Sequence, residues 1–194
     1  MATKQLLGLT LIVVTVLSGP AASAPRQATN TDQALHTMSN LTPAQESVIN
    51  AELSKMAAAG LKLSGIDFIG HDERETCNGR TGMARRSGQT TEVHLCTRET
   101  GPTEQWMILH EIAHTWDYYM LDDERRDALL ELRGLEAWRQ GEWHDRGSEH
   151  SAEIIVWGTI GRPVKLIRFG NDTCEGLTEA YRTLTGNEPD QQCD

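Results

Sequence analysis

Two histidines four residues apart, with a glutamate directly after the first, form the string His110-Glu111-Ile112-Ala113-His114. Residues four apart on a helix share a face, so both imidazoles can converge on one ion at about 2.0–2.1 Å, the usual Zn–N distance. Glu111 lies about 100° round the helix from His110 and need not be a ligand. It can face a water at the open coordination position and take its proton. The chemistry this pattern supports is hydrolysis by water activated on a single Zn2+, with His110 and His114 as metal ligands and Glu111 as the catalytic base.

The frame around the string bears on that reading. Trp106, Met107, Ile108, Leu109, Ile112, Ala113 and Trp116 are apolar on nearly every side of the helix, and such a helix is buried. Buried histidine and glutamate cost several kcal/mol unless they find partners, and a metal ion is one. Further on, Ser148 caps a helix on which Glu149 and Glu153 stand one turn apart, ahead of the apolar run Ile154-Ile155-Val156-Trp157. Two buried carboxylates on one face also need cationic partners or a metal. No other part of the chain offers an evident metal site to use them. All five tryptophans fall between residues 106 and 157, so the large apolar side chains gather around the proposed site.

The elements that must position these residues read as α+β. Thr42 caps a helix with Pro43 at its first position, Val48, Leu53 and Met56 on its buried side, and Gly60 at its end. Residues 61–70 alternate as a strand. Residues 81–86 and 90–96 read as a hairpin through Ser87-Gly88, giving a small antiparallel sheet beside the His110–His114 helix. Thr103 is the expected cap of that helix, which runs to about residue 119. Asp122 caps a helix over residues 123–138, weakened or bent at Gly134. Residues 140–147 form a polar loop holding Trp143 and His144. Residues 164–169 look like a strand, and a last helix over residues 175–184 stops at Gly186.

Residues 1–24 read as a signal peptide: Lys4, an apolar stretch over residues 6–17, then Ala22-Ser23-Ala24. That stretch is shorter than the about 20 residues a bilayer requires. An uncleaved anchor is the alternative. Residues 25–41 are polar and read as a disordered lead-in, leaving one domain over residues 42–194. Four cysteines in an exported chain suggest disulfides, in one of three connectivities. The two local pairs, Cys77 with Cys96 and Cys174 with Cys193, are the expected ones. Eighteen basic residues against 28 acidic ones give a net charge of −10, which argues against nucleic acid or an anionic membrane surface as partner once the signal is cleaved. Oligomeric state leaves no mark in the sequence.

With these residues in view, the chain resembles gluzincin-type zinc metallopeptidases, in which a glutamate on a later helix completes the metal site and an acid four residues on buttresses a ligand histidine. Glu149-His150-Ser151-Ala152-Glu153 fits that pattern. More narrowly, the string from His110 to Asp117, then Arg146-Gly147-Ser148-Glu149, then Ala152-Glu153 with Trp157, is similar to small secreted bacterial proteins with a zinc-peptidase domain. The likeness covers residues 60–185 and lacks the H-x-x-G-x-x-H extension of metzincins. It implies a compact zincin-like fold with Glu149 as third ligand. Glu153, and with it Asp117, would stand behind a ligand histidine and fix its tautomer. The reverse assignment, Glu153 on the metal, stays open. A donor to the oxyanion is also needed; His144 and His150 rank first, ahead of Tyr118, Tyr119 and Tyr181. The implied function is a secreted zinc peptidase acting on a peptide or protein. A zincin-shaped metal-binding or scaffold protein with little turnover, and an effector protease with one narrow target, are the alternatives.

Overall fold

The computed structural model describes residues 36–63, 65–88, 90–160, 173–191 and 193. The signal peptide, the first part of the lead-in and the strand-like piece over residues 164–169 lie outside the described residues.

The chain begins with a short strand, β1 (Thr37–Ser39), and a helix, α1 (Pro43–Ala58). Thr42 and Gln45 cap α1 reciprocally: the Thr42 hydroxyl accepts from the Gln45 N–H, and the Gln45 side chain accepts from the Thr42 N–H. Next come β2 (Ile66–Gly70), a 3-10 turn at Glu75–Cys77, and the strands β3 (Gly82–Ser87) and β4 (Thr90–Leu95). Four helices of the described residues follow: α2 (Pro102–Met120), α3 (Asp123–Arg133), α4 (Gly147–Ile160) and α5 (Cys174–Thr185). The fold is α+β. None of these helices is long and apolar enough to cross a membrane.

The sheet is mixed, which corrects the expected antiparallel one. Its order is β1-β2-β4-β3; β1 and β4 both run parallel to β2, and only β3 and β4 are antiparallel. The β3–β4 hairpin folds back so that β4, not β3, lies against β2. Parallel neighbours need a crossover, and α1 supplies one between β1 and β2. β1 also corrects the lead-in, because residues 37–39 are ordered against β2. Thr37 Oγ1 donates to Asp67 Oδ1 at 2.6 Å and Asn40 Nδ2 to the Gly70 carbonyl at 2.6 Å.

Several boundaries move by local chemistry. Thr103 does not cap α2; Gly101 takes that place and Pro102, whose missing N–H costs nothing there, opens the helix. Gly134 ends α3 rather than bending it: its φ of 65° breaks the helix after Arg133. α4 starts at Gly147, one residue before the expected cap Ser148. The buried face of α1 is Gln45, Ile49, Glu52 and Met56, with Val48 and Leu53 only partly buried. The face is rotated because Gln45 turns inward to donate to the Thr97 carbonyl.

The core joins Phe68, Val93 and Leu95 of the sheet to Ile108, Leu109 and Ile112 of α2 and Ile154, Ile155 and Val156 of α4. α5 closes the far side, with Tyr181 lying against Gly158, where any side chain would strike the ring. Two disulfides bound this unit: Cys77–Cys96, with Cα atoms 6.1 Å apart, and Cys174–Cys193, with Cα atoms 5.5 Å apart. Both are the local pairs, and together they fit an oxidising, exported environment. Each closes a loop of 19 residues, so removing one is expected to cost about 3 kcal/mol through the unfolded chain. Chemical denaturation of a Cys174→Ser/Cys193→Ser double variant checks this; an unchanged midpoint and slope would refute it.

Candidate metal centre

α2 is buried over residues 107–117 without interruption. It is sandwiched between β3 on one side, α4 on another and α1 on a third, so its polar residues have no solvent to turn to. His110 and His114 stand one turn apart, and Tyr118 follows one turn later on the same face. The two imidazoles sit at 90° to each other with centroids 4.7 Å apart, and Trp106 lies against His110 at 5.1 Å.

α4 crosses this face and brings Glu149 to it. One carboxylate oxygen, Oε2, lies 3.2 Å from His110 Nε2 and 3.4 Å from His114 Nε2. Ligand atoms of these three residues all fall within 4.8 Å of one another, and the group can hold a metal ion.

Glu153 stands one turn further along α4, behind His110 rather than in front of it. Its Oε1 lies 3.4 Å from His110 Nδ1, close enough for charge attraction but outside good hydrogen-bond geometry. Glu153 is wholly buried, and neither carboxylate oxygen nor His110 Nδ1 has a hydrogen-bond partner. A buried carboxylate in that state needs positive charge on the imidazole it faces. A cation at Nε2 supplies it and draws Nδ1–H toward Glu153, so these orphaned atoms fit a metal. Asp117 lies near His114 and accepts from Ser151 Oγ at 3.4 Å. Burial pushes its carboxyl up to about 7, against the opposing pull of His114, Arg126 and Arg139.

Without a cation the same carboxylates hold a proton. Burial pulls the His110 imidazole down, but Glu149, Glu153 and the nearby Glu111 charge outweigh it and raise the group to about 10. Burial pushes the Glu149 carboxyl up, yet hydrogen bonding to His110 and His114 holds it well below the usual carboxylate range. The linkage has a definite sign. The raised His110 stabilises the metal-free fold fully below 6.5, and that contribution is lost as pH rises through about 10. The depressed Glu149 stabilises it above 4.5, and that is lost in stronger acid. Metal-free protein is therefore expected to gain most from this pair between 4.5 and 6.5. A divalent ion must displace the His110 proton, so the rise in melting temperature on adding zinc is expected to grow from pH 6 to pH 8. Thermal scans with and without zinc check this; a metal shift that is flat across that range would contradict the proton displacement.

Glu111 lines a cleft over the site and reaches β3. Its Oε2 accepts from the Ala84 N–H at 2.7 Å. This contact depends on Gly82, because a side chain there would collide with Met107 and press on Glu111. β3 is an edge strand of the sheet and forms one wall of that cleft. The cleft is also lined by Trp106, Tyr118 and Trp143.

The expected oxyanion donors are distributed differently from their ranking. His144 is exposed, 3.5 Å from Asp145 Oδ2, and does not line the cleft. His150 is buried, donating through Nε2 to the His144 carbonyl at 2.9 Å, with Arg133 Nε at 3.3 Å from its Nδ1. One residue past Glu149, it is rotated about 100° away and pins the loop to α4. Tyr119 lies under Arg86 and Tyr181 fills the core; Tyr118 lines the cleft. Ala84, Gly82 and the cleft arginines carry no sequence signal of a role, since backbone approach and wall residues are set only by how β3 and α4 dock on α2. The chain matches no family model, no curated protein and no solved structure.

Proposed function

We propose that this protein is an exported zinc-dependent peptidase of gluzincin type, carried chiefly by the shared approach of Glu149 Oε2 to both imidazole Nε2 atoms. The two-nitrogen, one-oxygen donor set favours zinc over magnesium or calcium, which prefer all-oxygen sites of higher coordination. A bound zinc ion supplies a Lewis acid for the scissile carbonyl and a water of lowered pKa.

The chain's own residues account for the remaining steps. His110, His114 and Glu149 would hold the ion. Ala84 N–H fixes one oxygen of Glu111, which leaves the other to accept a proton from the attacking water. Glu111 then returns that proton to the leaving amine nitrogen, so base and acid are one group. Tyr118, which lines the cleft, is our choice of donor to the developing oxyanion. Glu153 holds the His110 ring in the tautomer that presents Nε2. The two disulfides and the N-terminal reading together support secretion through a signal peptide.

A metal assay on purified protein and a digest of a broad peptide library, each with and without chelator, test the proposal. One zinc per chain with chelator-sensitive cleavage is the expected result. Metal without cleavage overturns the peptidase reading in favour of a metal-binding scaffold.

A further inference from the structure

The cleft over the imidazole pair encloses about 570 Å3. The chain as a whole carries 28 acidic residues against 18 basic ones, so an unselected wall would be richer in carboxylates. This wall is the reverse. Arg80, Arg139 and Arg146 line it, and its only carboxylates among the described residues are Glu111 and Glu149.

Both carboxylates are committed, Glu149 to the imidazoles and Glu111 to the Ala84 N–H. The arginines are not. Arg139 stacks on the Tyr118 ring at 4.9 Å, and Arg146 donates through Nε to the Gly141 carbonyl at 2.9 Å. Neither they nor Arg80 forms a salt bridge to a carboxylate among the described residues. A divalent ion would offset the two glutamates, which leaves three arginines lining one cleft without a carboxylate partner among the described residues. Low-dielectric walls focus such a field, and like charges so placed are relieved by an anionic occupant. Guanidinium groups also match carboxylates geometrically, in bidentate pairs.

We infer that the cleft selects acidic peptides, with Asp or Glu side chains flanking the scissile bond. The inference rests on the peptidase reading for the word scissile, but its binding arm does not.

The test uses the zinc-loaded full chain carrying Glu111→Gln, immobilised. Two N-acetylated, C-terminally amidated peptide libraries are passed over it, identical except that one carries Asp and Glu where the other carries Asn and Gln. Acidic members are expected to be retained about tenfold more strongly at about 0.05 M salt, with the difference collapsing near 0.5 M as the Debye length shortens from about 14 to 4 Å. Arg80→Gln should cut the preference at least threefold, whereas Arg74→Gln, an equal charge change at an exposed site off the cleft, should leave it unchanged. Competition between the libraries for turnover by unmutated enzyme gives a second measurement, with kcat/KM favouring acidic members. Equal retention, no retention of acidic members, or equal effects of the two arginine variants overturn the inference. Preferential retention without cleavage upholds it and removes the peptidase reading; cleavage without preference does the opposite.

Discussion

Glu111→Gln is expected to keep one zinc per chain and a near-native melting temperature while losing peptidase turnover by about 10²- to 10⁴-fold, the usual contribution of a positioned general base. The substitution is nearly isosteric. The glutamine carbonyl can still accept from the Ala84 N–H, which the glutamate does now at 2.7 Å. The side chain then stays docked against β3 and turns its amide, which cannot take a proton, toward the cleft. The three ligands are untouched because Glu111 projects from a different side of α2. Loss of activity with retained metal therefore isolates proton transfer from metal binding. Atomic absorption, a thermal scan and a chelator-controlled peptide assay read the three quantities separately. Turnover equal to that of the unmutated protein would mean that Glu111 is not the base.

The two acids of α4 are expected to part company when each is removed. Glu149→Ala should abolish stoichiometric zinc after dialysis, since it takes away one of three ligands and opens the site to water. Glu153→Gln should retain stoichiometry at a metal affinity about 10–100-fold weaker, the typical effect of losing the group that orients a ligand imidazole. The reason lies in which nitrogen each acid faces: Glu149 Oε2 lies by Nε2 of both rings, and Glu153 Oε1 lies by Nδ1 of His110 alone. Circular dichroism guards against misfolding, which matters most for Glu153 because it is wholly buried. Competition with a metal indicator measures the affinities. A Glu153 variant that loses zinc while Glu149→Ala keeps it would exchange the two roles.

Two chemical features of this centre were legible before any fold was known. The spacing of His110 and His114 makes sense only on a helix, and the apolar residues around them call for burial, which the unbroken buried run over residues 107–117 displays. Caps were legible where a side chain does the capping, as at Thr42 and Asp122. They were missed at α2, where Gly101 and Pro102 act through the backbone and no side chain announces the start. β1 was missed because Thr37-Met38-Ser39 has no alternation of its own and is a strand only by pairing with β2. The parallel order of the sheet was equally silent, since alternation tells which face a residue occupies and not which strand lies beside it.

The chain alone therefore determined the donor types, their helical spacing and the two candidate acids, all of which depend on residues near one another in sequence; which of three cysteine connectivities forms was decided by the fold. Tertiary structure decided what depends on docking angles between distant segments. It turned Glu149 to the paired Nε2 atoms and Glu153 behind His110, moved His144 and His150 away from the cleft and Tyr118 onto its wall, and brought the Ala84 N–H to Glu111. The physical reason is reach. A helix sets the relation of residues three or four apart, but an acid 39 residues from His110 is placed by how α4 crosses α2. That crossing is fixed by the packing of Ile154, Ile155 and Val156 against a core shared with the sheet, which no local pattern encodes.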